Sequence, residues 1–198
     1  MIRSFLAIEL PKAFLKRIEE VQGDLKSSRA DVRWVSPEKI HLTLKFLGYI
    51  EEVRIEPIIK AIEGPIHKTA VFSIALKGMG VFPHLRNPRV IWMGLLDDKG
   101  FLAPLKNRLE KDLEGIGFDP EARAFQPHLT LGRVNSSRGK DELLHRMEKY
   151  RETDFGGFDI EEVILFKSDL RPTGPIYTPL REVKLGGEDE DGNEGGSE

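Results

Sequence analysis

Ile40-His41-Leu42-Thr43-Leu44-Lys45-Phe46-Leu47 and Pro127-His128-Leu129-Thr130-Leu131-Gly132-Arg133-Val134 share the tetrapeptide His-Leu-Thr-Leu and alternate polar with apolar residues. Alternation of period two marks a strand with one buried face. It predicts that Leu42, Leu44, Leu129 and Leu131 point into a core. His41 with Thr43, and His128 with Thr130, then share the opposite side, each pair an imidazole beside a hydroxyl.

Working outward, Ile2 to Leu10 alternates as well, with Ile2, Leu6, Ile8 and Leu10 on one face and Arg3, Phe5 and Ala7 on the other. Pro11 opens a predicted helix through Phe14, Ile18, Val21 and Leu25. Trp34 and Val35 lead toward the strand of His41, for which Gly48 is the expected stop. A helix over residues 51–63 follows, then strands over 71–79 and 89–96 joined by a turn at residues 83–88. Leu102, Leu105, Leu109 and Leu113 predict a long amphipathic helix. After the strand of His128 come a short helix over 140–150 and two final strands over 159–167 and 176–184. Strand and helix thus recur in the same order in each half. The expected fold is α+β, two pseudo-symmetric lobes of mainly antiparallel sheet with helices outside and a cleft between them.

One bilobal domain over residues 1–185 accommodates this length and the 39% hydrophobic content. The last thirteen residues, GGEDEDGNEGGSE, carry six acids and no base, so a disordered tail is expected from residue 186. Without those acids the formal charge of -3 becomes +3, which suits a phosphate ligand without requiring one. The chain has no cysteine, which rules out disulfides, thiolate nucleophiles and cysteine-based zinc sites. No apolar run is long enough to span a membrane, so a soluble, cytoplasmic, monomeric protein is expected.

Imidazole titrates near neutrality, so one of two histidines flanking a phosphoryl group can accept a proton while the other donates one. Threonine hydroxyls can donate to the phosphate oxygens, as metal ions do elsewhere. A single His-x-Thr strand is ordinarily a surface histidine beside a strand-favouring threonine. Two identical copies in corresponding places point instead to one site, with no cofactor and no metal. Two histidines without a neighbouring carboxylate make a poor zinc site.

The segments RSFLAIELP, WVSPEKIHLTLKFLG, GVFPHLRNPRVIWMG, FQPHLTLGR and LFKSDLRPTGPIYTPL resemble those of the 2H phosphoesterases. The resemblance is specifically to the RNA 2′,3′-cyclic phosphodiesterases once called 2′-5′ RNA ligases, and it runs from Arg3 to about Leu185. It implies hydrolysis of a 2′,3′-cyclic phosphate at an RNA end or on a nucleotide, leaving a 2′-phosphate, with reverse 2′-5′ ligation accessible. His41 would be the proton donor, His128 the proton acceptor, and Thr43 and Thr130 the phosphate ligands. Arg133 would be a further phosphate ligand, although strict alternation sends it to the leucine side unless Gly132 permits a bulge. A non-catalytic module binding RNA ends or nucleotides is the alternative, and other 2′-5′ or cyclic-phosphate substrates stay open.

Lys45 has the parity of His41 and Thr43, which predicts the rim of the site or solvent. Phe5 can stack on a base or pack in the core. Trp34 and Trp92 are expected in the core, and His67, His84 and His145 at the surface or in turns.

Overall fold

The computed structural model describes residues 1–172 and 174–186. Its elements are β1 (Ile2–Glu9), α1 (Lys12–Lys26), β2 (Val32–Trp34), β3 (His41–Ile50), α2 (Ile55–His67), β4 (Phe72–Phe82), β5 (Val90–Leu96), α3 (Leu102–Glu114), β6 (His128–Val134), α4 (Lys140–Glu148), β7 (Asp154–Ile160), β8 (Glu162–Asp169) and β9 (Ile176–Lys184).

The strands form one antiparallel sheet in the order β7-β4-β5-β6-β3-β1-β8-β9, with β2 added alongside β6. Its two halves, β7-β4-β5-β6 and β3-β1-β8-β9, meet where β6 lies beside β3, and there the register joins only Leu42 to Leu129. Each half contains a strand, a helix and a His-Leu-Thr-Leu strand in succession, β1-α1-β3 and β5-α3-β6. The architecture is the α+β arrangement expected from the alternation.

Leu42, Leu44, Leu129 and Leu131 are all buried in the main core with Leu6, Ile18, Leu25, Ile58, Ile62, Leu105 and Leu109. Helix α2 packs on α3, and α1 against α4, on this face of the sheet. Burying a leucine stabilises a fold by roughly 1.5–3 kcal/mol. Four of them anchor the two central strands and fix which way the polar partners turn. The first strand follows the same rule: Ile2, Leu6, Ile8 and Leu10 join the main core, while Phe5 and Ala7 form a small second cluster with Ile164 and Phe166.

Simple alternation fails at two matching bulges. In β3, Thr43 lies opposite Ala7 but Lys45 opposite Leu6, so Leu44 has no partner. In β6, Thr130 lies opposite Trp92 but Gly132 opposite Ile91, so Leu131 has none. An extra residue reverses the phase of everything after it. Lys45 is therefore not at the rim but 2% exposed beneath the sheet. There its ammonium donates to Glu110 of α3 at 2.5 Å and to the Asp119 carbonyl at 2.6 Å. The same shift carries Arg133 away from the leucine side and leaves it exposed. Only glycine fits at 132, because a Cβ there would lie 2.7 Å from Val32 Cγ1 and 3.1 Å from Trp34 Cε3.

Three other expectations are corrected. β3 continues past Gly48, whose positive φ of 72° is taken up in a further register shift against β1. The segment Asp154–Ile160 is a strand, β7, hidden in the sequence by Gly156 and Gly157. The tail does not begin at residue 186, since Gly186 bridges Ala70 and a Cβ on it would strike the His67 carbonyl. The six tail acids lie outside the described residues. Among the described residues no helix is long and apolar enough to cross a membrane.

Candidate active site

The polar faces of β3 and β6 open onto a cleft of about 580 Å³ that His41, Thr43, His128, Thr130 and Arg133 all line. With Leu42 opposite Leu129, the antiparallel register sets His41 across from Thr130 and Thr43 across from His128. Each imidazole thus has a hydroxyl two residues along its own strand and another across the seam.

Both rings are held in the same way. His41 Nδ1 donates to the Lys39 carbonyl at 2.9 Å, and His128 Nδ1 to the Gln126 carbonyl at 2.7 Å. A carbonyl only accepts, so Nδ1 carries a proton in each ring and Nε2 is left to exchange one. The surroundings of the two rings differ. Phe5 stacks on His41 with centroids 4.9 Å apart, and Tyr177 meets the same ring edge-on at 5.1 Å. Among the described residues only one close aromatic neighbour, Phe82, stands against His128, edge-on at 5.0 Å. Burial accordingly pushes the His41 pKa below its usual 6.5, only partly offset by the bond to Lys39.

Among the described residues five cations line the cleft, namely Arg3, Arg33, Lys39, Arg133 and Arg171, and no carboxylate does. Arg33 of β2 lies directly opposite Arg133 of β6. Like charges facing each other across a strand pair repel. A fold that keeps such a conflict is arranged for an anion between them. Burial holds the Tyr177 phenol above its usual pKa against the pull of Arg3 and Arg133, so it stays neutral and able to donate a hydrogen bond.

The fifth residue after each histidine breaks the duplication. Phe46 and Arg133 occupy matching positions past matching bulges, and both line the cleft. One half presents an aromatic ring, 57% exposed, and the other a guanidinium.

The model of the LigT-like phosphoesterases matches residues 8–92 and 97–177. The chain belongs to the LigT-like phosphoesterase family. Membership makes it an enzyme, a hydrolase of the 2H phosphoesterase type. It is similar to a protein of Methanothermobacter thermautotrophicus named RNA 2′,3′-cyclic phosphodiesterase, 35% identical over 93% of this chain and 99% of that one. A protein of the same name from Aquifex aeolicus is 32% identical over 94% and 99%. Among solved structures, a Thermus thermophilus protein superposes with a TM-score of 0.79 at 28% identity, covering 95% of this chain and all of the other. E. coli LigT in apo form gives 0.74 at 25%, covering 93% and 98%.

Around the LigT-like cleft, several lining residues carried no sequence signal of their own. Tyr177 arrives because β9 pairs with β8, and Arg33 because β2 pairs with β6. Phe46 was hidden by the bulge. Trp34, expected in the core, is half-buried and lines the cleft, and Trp92 is half-buried against Phe82. Phe5 is 3% exposed and packs on Phe166 as well as His41, so it forms the floor of the site. His67, His84 and His145 are exposed and line no part of the cleft. Among the described residues no three His, Asp or Glu side chains gather as a metal site would need.

Proposed function

We propose that this chain hydrolyses the 2′,3′-cyclic phosphate of an RNA end or nucleotide to a 2′-phosphate by proton transfer between two histidines. His128 Nε2 takes a proton from water as the water oxygen bonds to phosphorus. His41 Nε2–H gives a proton to the 3′ oxygen as its bond to phosphorus breaks. Thr43, Thr130 and Arg133 donate to the non-bridging oxygens, where charge accumulates. The observation that carries this reading is the pair of Nε2 atoms left free beside hydroxyls on facing strands of one cationic cleft. The named activity of the relatives supports it, and the assignment of donor and acceptor follows the family resemblance.

Burial leaves His41 neutral near pH 7 in the free enzyme. The charge of a bound phosphate favours its imidazolium, so His41 is charged for its task by the substrate itself. The acid limb of kcat should accordingly lie at higher pH than that of kcat/KM. Run backwards, the same two groups join a cyclic-phosphate end to a hydroxyl, so ligation is open to the site at high end concentration.

The test is turnover of nucleoside 2′,3′-cyclic phosphates in EDTA, with the product isomer read by phosphorus NMR. His41→Ala and His128→Ala should each slow turnover by roughly 10²–10⁴-fold. A folded variant of either kind that keeps its rate, or a 3′-phosphate product, would overturn the mechanism. Binding without turnover in the unmodified chain would overturn the hydrolytic reading.

A further inference from the structure

A second concavity, of about 290 Å³, lies at the end of β6 and is lined by Arg86, Asn87, Arg89, Ser136, Ser137 and Lys140, with no carboxylate on its wall among the described residues. Three cations from two separate segments converge there. Among the described residues neither Arg86 nor Arg89 has an ion-pair partner. Lys140 reaches only Asp141, at 3.7 Å, and that carboxylate is almost fully exposed. The nearby Asp31 is occupied otherwise, accepting from Ser136 Oγ at 2.7 Å and Asn135 Nδ2 at 3.1 Å. Unneutralised guanidinium groups around a hollow suit an anion with several oxygen acceptors.

The position of the hollow narrows the class of anion. Arg133, in the cleft, lies opposite Val90, and the next residue, Val134, donates its N–H to the Arg89 carbonyl at 3.0 Å. Arg89 therefore stands one residue beyond the cleft cations Arg33 and Arg133 along adjoining strands. Strands rise about 3.4 Å per residue, a step shorter than or similar to the spacing of phosphates along a nucleic-acid strand. Positive charge continues from the cleft to the hollow along the path that a chain leaving the cleft would take. Single-strand binders use a charged groove of this kind to follow a backbone.

We propose that the Arg86–Arg89–Lys140 hollow is a subsite for a backbone phosphate of a single-stranded polynucleotide whose cyclic-phosphate end occupies the cleft. The inference rests on the function proposed above and extends it, because it makes an oligonucleotide a better substrate than a mononucleotide.

The experiment compares wild type with the double variant Arg86→Ala/Arg89→Ala on two substrates, a nucleoside 2′,3′-cyclic phosphate and a short RNA ending in the same group. Loss of two phosphate contacts to a single strand makes the salt dependence of log kcat/KM shallower by about 1.4. The variant should lose about tenfold in kcat/KM on the RNA at about 50 mM salt, and roughly sevenfold of that difference should vanish by about 200 mM. Mononucleotide turnover should be unchanged, which also reports that the variant is folded. Equal rates of wild type and variant on RNA would overturn the inference, as would an equal loss on both substrates. Inorganic phosphate that protects the hollow as well as RNA does, at matched phosphate concentration, would assign it to a small anion and overturn the polynucleotide subsite. If wild type turned over neither substrate, the functional proposal would fail. Binding of a plain single-stranded RNA, weakened in the double variant or not, would still decide the subsite.

Discussion

Replacing Phe5 with alanine tests the link between packing and proton chemistry at His41. The ring is 3% exposed and fills the space between the His41 imidazole, Phe166 at 5.3 Å and Tyr177 at 5.1 Å. Removing a buried phenylalanine costs about 3–5 kcal/mol. At about 2–4 °C per kcal/mol for a chain of this size, the melting temperature should fall by about 6–20 °C. The vacated space borders the cleft, so water reaches the imidazole face that Phe5 covered. The burial that depresses the His41 pKa is then relieved, and its titration moves up toward 6.5. Phe5→Leu keeps most of the apolar volume, costs less than about 1.5 kcal/mol and should leave that titration in place. The assay is the acid limb of kcat/KM against pH for the three proteins, each shown folded by its thermal melt. An acid limb identical in wild type and folded Phe5→Ala would refute the claim that aromatic burial sets the proton affinity of His41.

The depressed His41 pKa also has a sign for stability: the unfolded chain takes up a proton near pH 6.5 and the folded chain only below that, so acidification destabilises the fold across this window. Urea midpoints measured from about pH 7 downward should fall more steeply in wild type than in His41→Ala. Gly132→Ala should cost about 1–3 kcal/mol and raise KM, since the added methyl must displace Val32 or Trp34 and disturb the bulge that presents Arg133. A variant as stable as wild type in urea, with an unaltered KM, would contradict that. Lys45→Met removes charge-assisted bonds to Glu110 and the Asp119 carbonyl, each worth about 1.5–3 kcal/mol, while Lys106 still pairs with Glu110. A net loss of about 2–3 kcal/mol is expected, and an unchanged denaturation midpoint would mean that the buried pair adds nothing over an apolar side chain.

The parity of the two His-Leu-Thr-Leu strands was legible because period two depends only on local geometry and on which side chains leave water. The two-sided character of β1 was legible for the same reason. What alternation could not reveal is where an extra residue enters a strand, because a bulge is set by the partner's register. Lys45 and Phe46 were misread on that account, whereas Gly132 hinted at its bulge because glycine there has few other uses. β7 was overlooked because paired glycines resemble a loop until β4 supplies the hydrogen bonds. Tyr177, Arg3 and Arg33 reach the cleft through pairings between distant segments, and nothing in their own neighbourhoods announces it.

The mismatch of Phe46 against Arg133 bears on substrate polarity. A perfectly duplicated cleft would admit a phosphodiester ring either way round, and each imidazole would meet the 2′ oxygen as often as the 3′. With a flat hydrocarbon ring at one end and a fixed cation at the other, the two orientations differ in energy. A twofold pattern spoiled at a single matched position is enough to decide which ester bond is cut.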